Sequence, residues 1–172
     1  MVNGMLVEDV QKVLNLKHAW EFILDTDIIQ SESNYYLLSH IARLVNEWIF
    51  QEEGDKRSVP VTIGGTNYVP PIPIEFKVKE DMSEISSSNK TDIDKAIELC
   101  MYCMGTQIFI DGNKRASVIF ANHFMISHGL GLLIIHQDVV EEFRQLLVNY
   151  YETADIAKIS SFLKEKCWKR LD

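Results

Sequence analysis

Apolar residues recur with helical spacing in six segments, and this periodicity constrains the fold more than any other feature of the sequence. The most regular segment begins after Thr91, a candidate N-cap, and Gly105 is the residue expected to end it. Such a sequence predicts a mostly α protein built as a helical bundle. The predicted helices cover about 7–29 with a break near Leu16 or Asp25, 33–52, 91–105, 113–128, and two segments that start near 138 and 153.

Capping residues and apolar faces add detail to these helices. Gly54 is expected to end the second helix, and Trp48 is expected in the core beneath it. Gly129 suits the position just past the end of the fourth helix. Asp138 followed three residues later by Glu141 predicts a capping box at the start of the fifth.

One stretch, 57–73, breaks the helical pattern. Apolar and polar residues alternate from 59 to 63 and lead into Gly64-Gly65, a pair compatible with positive φ. A return strand begins at Tyr68 and ends at a proline cluster, because proline cannot donate to a ladder. The sequence therefore predicts one β-hairpin, which must pack on the helices or pair with another chain.

Composition bounds the class of protein. With 172 residues and 47% hydrophobic residues, the chain has enough apolar material for a single domain over 1–172. No apolar run approaches the ~18 residues of a membrane span, and residues 1–10 do not resemble a signal peptide. Three cysteines, an odd number, do not indicate a disulfide framework. We therefore expect a cytoplasmic protein with no membrane partner.

The net charge and the positions of the cysteines and histidines argue against nucleic-acid, redox and metal sites. A net charge of −8 disfavours binding to a nucleic-acid backbone. Cys100 and Cys103 have CxxC spacing but lie in the middle of a predicted helix, which favours buried core thiols over a redox or zinc site. His123 and His128 lie on different faces of a helix and are not expected to share a metal.

The loop 107–115 carries the candidate chemistry. Gly112 and Asn113 suit tight backbone geometry at a helix N-terminus, where free N–H groups bind anions. Lys114 and Arg115 in the first helical turn oppose the helix dipole, and a bound anion would remove that conflict. Asp111 could hold Mg²⁺ through its carboxylate. By residue spacing alone, an ordinary interhelical loop with a solvated aspartate and two exposed cations remains an alternative.

This loop resembles the signature of the Fic/Doc family, His-Pro-Phe-x-(Asp or Glu)-Gly-Asn-Gly-Arg-x-x-Arg. The positions that match are Phe109, Asp111, Gly112, Asn113 and Arg115. The positions that depart are Gln107, Ile108, Lys114 and Val118. The Asn-Lys-Arg variant is similar to the Doc branch, which also lacks the second arginine. The predicted hairpin looks like the flap that precedes the family's signature helices, and the resemblance extends over about 35–150.

The resemblance implies an activity and two kinds of ligand. Fic proteins typically transfer AMP from ATP to a hydroxyl of a target protein (AMPylation by a nucleotidyltransferase). The bacterial toxin-like Doc branch instead transfers the terminal phosphate to a translation elongation factor. In both branches the flap pairs with an extended segment of the target by strand addition. The target-binding flap carried over by the resemblance is Val61, Thr62, Ile63, Gly64, Gly65, Thr66, Asn67 and Tyr68.

The resemblance also implies roles within the loop. The main-chain N–H groups of Gly112, Asn113 and Lys114 would form an anion hole for the nucleotide phosphates. Arg115 would bridge phosphate oxygens, and Asp111 would coordinate Mg²⁺ beside the ATP.

The position of the family's catalytic histidine is occupied by Gln107, whose amide does not titrate near neutral pH. Losing a general base removes about 10²–10⁴ in rate, and Asp111 is at best a poor substitute. Two functional hypotheses therefore remain open. One is a transferase of AMP or phosphate with impaired or altered catalysis. The other is an inactive Fic-fold module that acts through nucleotide or protein contact.

Overall fold

A computed structural model describes residues 4–49 and 56–171, which fold into a mostly α structure as predicted. The helices are α1 Val7–Leu24, α2 Thr26–Ile29, α3 Tyr35–Val45, α4 Glu75–Ser87, α5 Asp92–Thr106, α6 Asn113–Ser127, α7 Val140–Thr153 and α8 Ala157–Phe162. The strands are β1 Leu132–Leu133 and β2 Trp168–Lys169. A 3₁₀ turn, Gln137–Val139, precedes α7, and a π turn, Leu163–Cys167, continues α8. No helix in the described ranges is long and apolar enough to cross a membrane.

Helix α6 lies at the centre of the fold, where it packs against α1, α3, α5 and β1. Because neighbours cover most of its circumference, it buries residues of every type rather than one apolar stripe. Its buried residues are Asn113, Ala116, Ser117, Ile119, Phe120, Ala121, Asn122, His123, Phe124 and Met125.

The buried Asn122 ties α6 to the only strand pair found in the described part of the chain. Its amide nitrogen donates to the carbonyl oxygen of Leu133 (2.9 Å) and its amide oxygen accepts from the Leu133 N–H (2.8 Å). Leu133 of β1 also pairs with Trp168 of β2 in an antiparallel register. The side chain of Asn122 thus serves as a strand-like partner and fixes the C-terminal segment against α6.

Several predicted helix boundaries are confirmed. The first predicted helix breaks at Asp25, whose carboxylate accepts from the Asp27 N–H (3.0 Å) and caps α2. Thr91 is the N-cap of α5, since its hydroxyl oxygen accepts from the Asp94 N–H. Gly129 follows α6 with a φ of 68°.

The prediction for the second helix was wrong at its C-terminal end. Helix α3 ends at Val45 and not near Glu52, and Trp48 is 82% exposed instead of lying in the core. The cause is a long-range cap: the amide nitrogen of Asn15 donates to the carbonyl oxygens of Val45 (3.1 Å) and Glu47 (2.8 Å). Gly54, the expected stop, lies outside the described residues.

Three further predictions on helix limits were wrong. Gly105 lies inside α5, which continues to Thr106. Asp138 lies in the 3₁₀ turn and makes no capping hydrogen bond. The last predicted helix begins at Ala157 rather than near Thr153.

Helix α4 was not predicted from the sequence. Only two of its residues, Val78 and Met82, are buried, so its apolar periodicity is too weak to stand out.

Residues 56–74, here called the flap segment, contain the predicted turn at Gly64-Gly65 but no strand within the described range. The two-stranded antiparallel pair of the fold lies instead at β1 and β2. A ladder is prevented partly by the prolines, which have no N–H to donate. The segment does pack on the helices as required: Tyr68 stacks on Tyr151 of α7, with ring centroids 5.9 Å apart.

The cysteines are core thiols, as predicted. Cys100 and Cys103 are each 1% exposed, and Cys167 is fully buried. Burial raises the pKa of the Cys100 thiol to about 12, which leaves it protonated and unreactive.

The neutral imidazole of His123, on α6, binds α2 through Ile28 and the loop before α3 through Ser33. Because a carbonyl oxygen can only accept, Nε2 must carry the proton that is donated to Ile28 (2.6 Å), and Nδ1 must accept from the Ser33 hydroxyl (2.6 Å). Burial lowers the pKa of His123 below its ordinary value.

This burial predicts a pH dependence of stability. A lowered pKa in the folded state means that His123 contributes stability above about pH 6.5, its unfolded value, and loses it as the pH falls. We expect the free energy of unfolding, measured with urea, to fall between pH 7.5 and pH 5. The His123→Gln variant should show a shallower fall, whereas His18→Gln, at an exposed position on α1, is the control. An equal fall in both variants would contradict the assignment.

Candidate functional site

The flap segment and the loop between α5 and α6, residues 107–115 and here called the signature loop, face each other across a cleft of about 330 Å³. All six residues of the signature loop predicted to form the site line this cleft. The lining residues are Thr62, Ile63 and Gly64 from the flap segment and Gln107, Asp111, Gly112, Asn113, Lys114 and Arg115 from the loop.

The other predicted flap residues do not line the cleft. Thr66 donates its hydroxyl to the carboxylate of Glu152 (3.0 Å), and Tyr68 packs against α7. The other three predicted flap residues that do not line the cleft are Val61, Gly65 and Asn67.

Asn113 closes the signature loop on itself. Its side chain is 5% exposed, and its amide oxygen accepts from the Phe109 N–H (2.9 Å). Its amide nitrogen donates to the carbonyl oxygen of Phe109 (2.8 Å) and to Oε1 of Gln107 (3.2 Å). The neighbouring Ile108 and Phe109 side chains are buried and anchor the loop in the core. The loop therefore has a defined shape in the protein alone.

Gln107 is part of this closure. It caps α5 in the left-handed region, with φ 50°. Its amide nitrogen donates to the carbonyl oxygen of Met104 (2.7 Å), while its amide oxygen accepts from Asn113. Both polar ends of the Gln107 side chain are thus hydrogen-bonded, one to α5 and the other to Asn113.

Gly112 sits where the loop meets the end of α3. Its φ is 73°, and a Cβ atom there would lie 2.7 Å from Oδ1 of Asn46 and 3.1 Å from Val45. Asn46 in turn donates its amide nitrogen to the carbonyl oxygen of Asp111 (3.0 Å). Because the end of α3 lies so close, this position requires glycine. The hydrogen bond from Asn46 holds the loop against the end of α3.

Arg57 joins the flap segment to the signature loop. It is 1% exposed, and its guanidinium donates to the carbonyl oxygens of Gln107 and Thr106 on the loop side. On the flap side it donates to the carbonyl oxygens of Val59 (2.9 Å), Pro70 and Pro71 (2.7 Å). Burial lowers the pKa of Arg57. This one side chain replaces the missing strand ladder and sets how far apart the two walls of the cleft lie.

The N-terminus of α6 supplies the positive end of the cleft. Gly112 provides no side-chain cap, so the first N–H groups of the helix keep their hydrogen-bonding capacity. Lys114 is exposed. Arg115 lies 3.5 Å from the Asp111 carboxylate through Nη2, and its buried Nη1 has no partner among the described residues. A buried guanidinium nitrogen without an acceptor costs free energy.

Asp111 is the one carboxylate among the described residues that line this cleft, and its side chain is 49% exposed. Within the described ranges, no three His, Cys, Asp or Glu side chains come together as a metal-binding cluster. A single accessible carboxylate nevertheless fits Mg²⁺, which is commonly held by one or two carboxylates together with substrate phosphates.

Two residues that shape the site were not identified from the sequence. Arg57 lay in the predicted flap without a role, and Asn46 lay in a predicted helix. The contacts that join each to the signature loop and the end of α5 have no local signal, because these partners are 49 to 65 residues away along the chain.

Comparisons with known proteins identify the family and the fold of the chain. The model of the Fic/DOC family matches residues 35–125, just over half of the chain. No curated protein sequence matches. Three solved structures share the fold at low sequence identity. They are Fic-1 from C. elegans (16% identity, TM-score 0.77), a Fic domain containing signalling protein from Bacteroides thetaiotaomicron (14%, 0.71), and BepC, a translocated effector protein from Bartonella tribocorum with bound AMPPNP (14%, 0.69).

Each of these alignments covers 95% of this chain. The covered share of the other chain is 50% for Fic-1, 70% for the Bacteroides protein and 85% for BepC. The chain therefore spans about half the length of Fic-1.

The Gly112 contact predicts a sharp difference between two glycines. Gly112→Ala should lower the free energy of unfolding by about 2 kcal/mol or more, because the new Cβ meets Asn46 at a positive φ. Gly64→Ala is the matched control, since a Cβ there meets nothing within 4 Å, and its effect should stay within about 0.5 kcal/mol. Denaturation with urea measures both, and equal effects would refute the steric argument.

The Arg57 network predicts a large loss of stability. Arg57→Met should destabilise the protein by about 3 kcal/mol or more, since it leaves several buried carbonyl oxygens without donors. Arg43→Met, at an exposed position of α3, is the control and should change little. A thermal or urea melt in which the two variants behave alike would contradict this role of Arg57.

Proposed function

The chain belongs to the Fic/DOC family, and on that premise we propose that the cleft between the flap segment and the signature loop binds the phosphate groups of a nucleotide. Members of this family commonly transfer AMP or similar groups to proteins. The observation that carries the proposal is the meeting of Lys114 and Arg115 with the N-terminus of α6, which has no side-chain cap, on one wall of this cleft.

In this proposal the main-chain N–H groups of Gly112, Asn113 and Lys114 hold phosphate oxygens. Uncapped N–H groups and the helix dipole both favour an anion at that point. The Arg115 guanidinium, whose side chain is 25% exposed, bridges phosphate oxygens. Asn113 acts indirectly, because its bonds to Phe109 keep the loop open in the required shape.

We propose ATP with Mg²⁺ as the first nucleotide to test, and BepC with AMPPNP supports that choice by fold analogy. Asp111 would hold the metal ion, which when bound would neutralise charge on the phosphates. The Asp111 carboxylate is accessible and lies close to Arg115, so the same two residues can balance the charges around one ligand.

Group transfer to a protein hydroxyl, whether of AMP or of a terminal phosphate, should be impaired. The Gln107 amide cannot accept a proton in the neutral range, and its two polar ends are occupied by Met104 and Asn113. Removing a general base costs about 10²–10⁴ in rate. Positioning and charge neutralisation remain, and these make up much of phosphoryl-transfer catalysis.

The alternative function is a catalytically inactive module that regulates through nucleotide or protein contact. The hydrogen bonds of Gln107 favour the inactive module, because they use the side chain at the position of the family's histidine to close the loop. Asp111 is then the titratable carboxylate among the described residues that line the cleft. The transferase and a module that acts through nucleotide contact require the same phosphate site and differ in whether a bond is broken. A module that acts through protein contact alone does not require that site.

A target protein would pair with residues 61–68 of the flap segment by strand addition. Supporting this, no backbone hydrogen bond joins residues 61–65 to another segment in the described part of the chain, which leaves their main-chain groups available. The three buried thiols, Cys100, Cys103 and Cys167, are consistent with a reducing compartment, and we place the activity in the cytoplasm.

Ligand binding can be tested by thermal stability. ATP or GTP with Mg²⁺ should raise the melting temperature of the wild type as concentration increases, because binding to the folded state stabilises it by mass action. Arg115→Ala should lose most of this shift, whereas Arg43→Ala, outside the cleft, should keep it. No shift of the wild type at millimolar nucleotide would refute the proposed site.

Catalysis is tested by restoring the missing base. Gln107→His should raise the transfer of label from α- or γ-labelled ATP, to the chain itself or to proteins of an extract, by about 10²-fold or more. The double variant Gln107→His, Arg115→Ala is the control and should be inactive. Rapid transfer by the wild type, without improvement in Gln107→His, would contradict impaired catalysis. Measurable nucleotide binding with no transfer by either protein would favour the inactive module.

A further inference from the structure

A cavity of about 150 Å³, here called the tyrosine cavity, lies where the ends of α5 and α7 meet the flap segment. Four tyrosines line it: Tyr68 from the flap segment, Tyr102 from α5, and Tyr150 and Tyr151 from α7. The other described lining residues are a glycine, a threonine and an alanine, so none of them is charged. Within the described ranges, the tyrosine cavity and the cleft at the signature loop have no lining residue in common.

The tyrosine rings lie close to one another. The ring centroids of Tyr68 and Tyr151 are 5.9 Å apart, and those of Tyr150 and Tyr151 are 6.2 Å apart. Gly105 allows α5 to approach, since a Cβ atom there would lie 3.2 Å from Cε1 of Tyr150. Burial raises the pKa of Tyr150 to about 12, so its phenol is uncharged at neutral pH. The cavity is therefore lined by aromatic rings, whose faces carry partial negative charge.

Cations of this chain lie over other aromatic rings but not over these four. The Lys79 ammonium lies 4.6 Å from the ring centroid of Tyr36, and the Arg170 guanidinium lies 4.1 Å from that of Trp168. In the described part of the chain, no Lys or Arg lies over a ring of the tyrosine cavity. A cation over these rings would have to come from another molecule.

The ends of two helices add negative potential at the cavity. Neither α5 nor α7 has a basic residue in its last turn, and the C-terminal end of a helix carries a partial negative charge. At the end of α5, Arg57 donates to the carbonyl oxygen of Thr106 and offsets part of that charge. At the end of α7, the donors found among the described residues are the Thr153 hydroxyl and the Ala154 N–H, which are uncharged. The end of α7 therefore favours a positive charge beside it.

Two carboxylates are bonded next to the tyrosines. The Tyr102 hydroxyl donates to Asp81 (2.9 Å), which also pairs with Lys77 (2.7 Å). Glu152, the next residue after Tyr151 in α7, accepts from the Thr66 hydroxyl (3.0 Å). No Lys or Arg pairs with Glu152 within the described ranges, so its negative charge is not neutralised there.

We propose that the tyrosine cavity binds an alkylated ammonium group. Tyrosine faces attract a cation, and alkyl groups on the nitrogen replace strongly hydrated N–H groups with surface that the rings can cover. An anion would instead meet ring faces, a helix end and a carboxylate of its own sign. A free small molecule such as choline and the side chain of a methylated lysine both carry the required group. This site lies outside the nucleotide site and does not depend on the proposed function.

Choline and an uncharged molecule of the same shape, 3,3-dimethylbutan-1-ol, test the need for charge on the wild-type chain. We expect choline to bind about tenfold or more tightly than the alcohol, because only choline gains the cation–π attraction. Titration followed by NMR measures both affinities, and the ring currents should move the choline methyl resonance upfield. Equal affinities, or no binding of choline at tens of millimolar, would overturn the proposal.

A short peptide with one trimethyllysine separates the two sources of the group. If this peptide binds more tightly than choline, the ligand is a side chain of another protein. If choline binds more tightly, the ligand is a small molecule, and both results support an ammonium site. The same peptide with an unmodified lysine is the control. Equal binding of the two peptides would contradict the preference for an alkylated ammonium.

Substitutions at Tyr150 test the aromatic ring. Tyr150→Phe keeps the ring and should leave the choline affinity within about twofold, whereas Tyr150→Leu should weaken it about fivefold or more. Tyr36→Leu, at an exposed tyrosine outside the cavity, is the matched control and should leave the affinity unchanged. Equal choline affinity in Tyr150→Leu and the wild type would count against the site.

A pair of variants at Ala154 tests the charge without disturbing the core. Ala154 lines the cavity but is exposed, so its replacement leaves the buried residues in place even if Tyr150→Leu does not fold. Ala154→Lys should weaken choline binding severalfold, and Ala154→Glu should strengthen it, because the two side chains add opposite charges at the same backbone position. The same affinity in both variants would refute a cation in this cavity.

Discussion

The guanidinium of Arg57 is the interaction on which the site depends. In the described residues it donates to main-chain carbonyl oxygens on both walls of the cleft at the signature loop, and its backbone N–H donates to Ile108 (2.8 Å). The flap segment has prolines where a ladder would need donors, so it cannot hold itself together as a hairpin. The buried guanidinium of Arg57 supplies N–H donors in their place and links the flap segment to the signature loop. Cleft width and loop shape are consequently set by the same contact.

The signature loop has a fixed shape without a ligand, because side chains satisfy its backbone from within. Asn113 bonds to Phe109 in both directions, Asn46 holds Asp111 from the end of α3, and Gly112 admits that close approach. The N-terminus of α6, which has no side-chain cap, favours an anion beside Lys114 and Arg115. Binding would therefore require little reorganisation of the protein, and a preformed site is less costly to fill.

Recognition and chemistry are separable in this chain. The phosphate side of the proposed site retains its donors. The acid–base side is altered, since Gln107 both lacks a titratable group and uses its amide to close the loop. A residue with a structural task is poorly placed to orient a reacting hydroxyl as well. The structure is thus better suited to holding a ligand than to deprotonating a target.

The sequence alone determined the helical class, the Asp25 and Thr91 caps, and the loop residues from Gln107 to Arg115, since these depend on local periodicity, capping and a contiguous motif. Tertiary structure decided what depends on distant partners. The Asn15 cap ends α3 early and leaves Trp48 exposed, and Arg57 replaces the predicted ladder. Such features have no signature in local sequence, because each requires groups that come together only when the chain has folded.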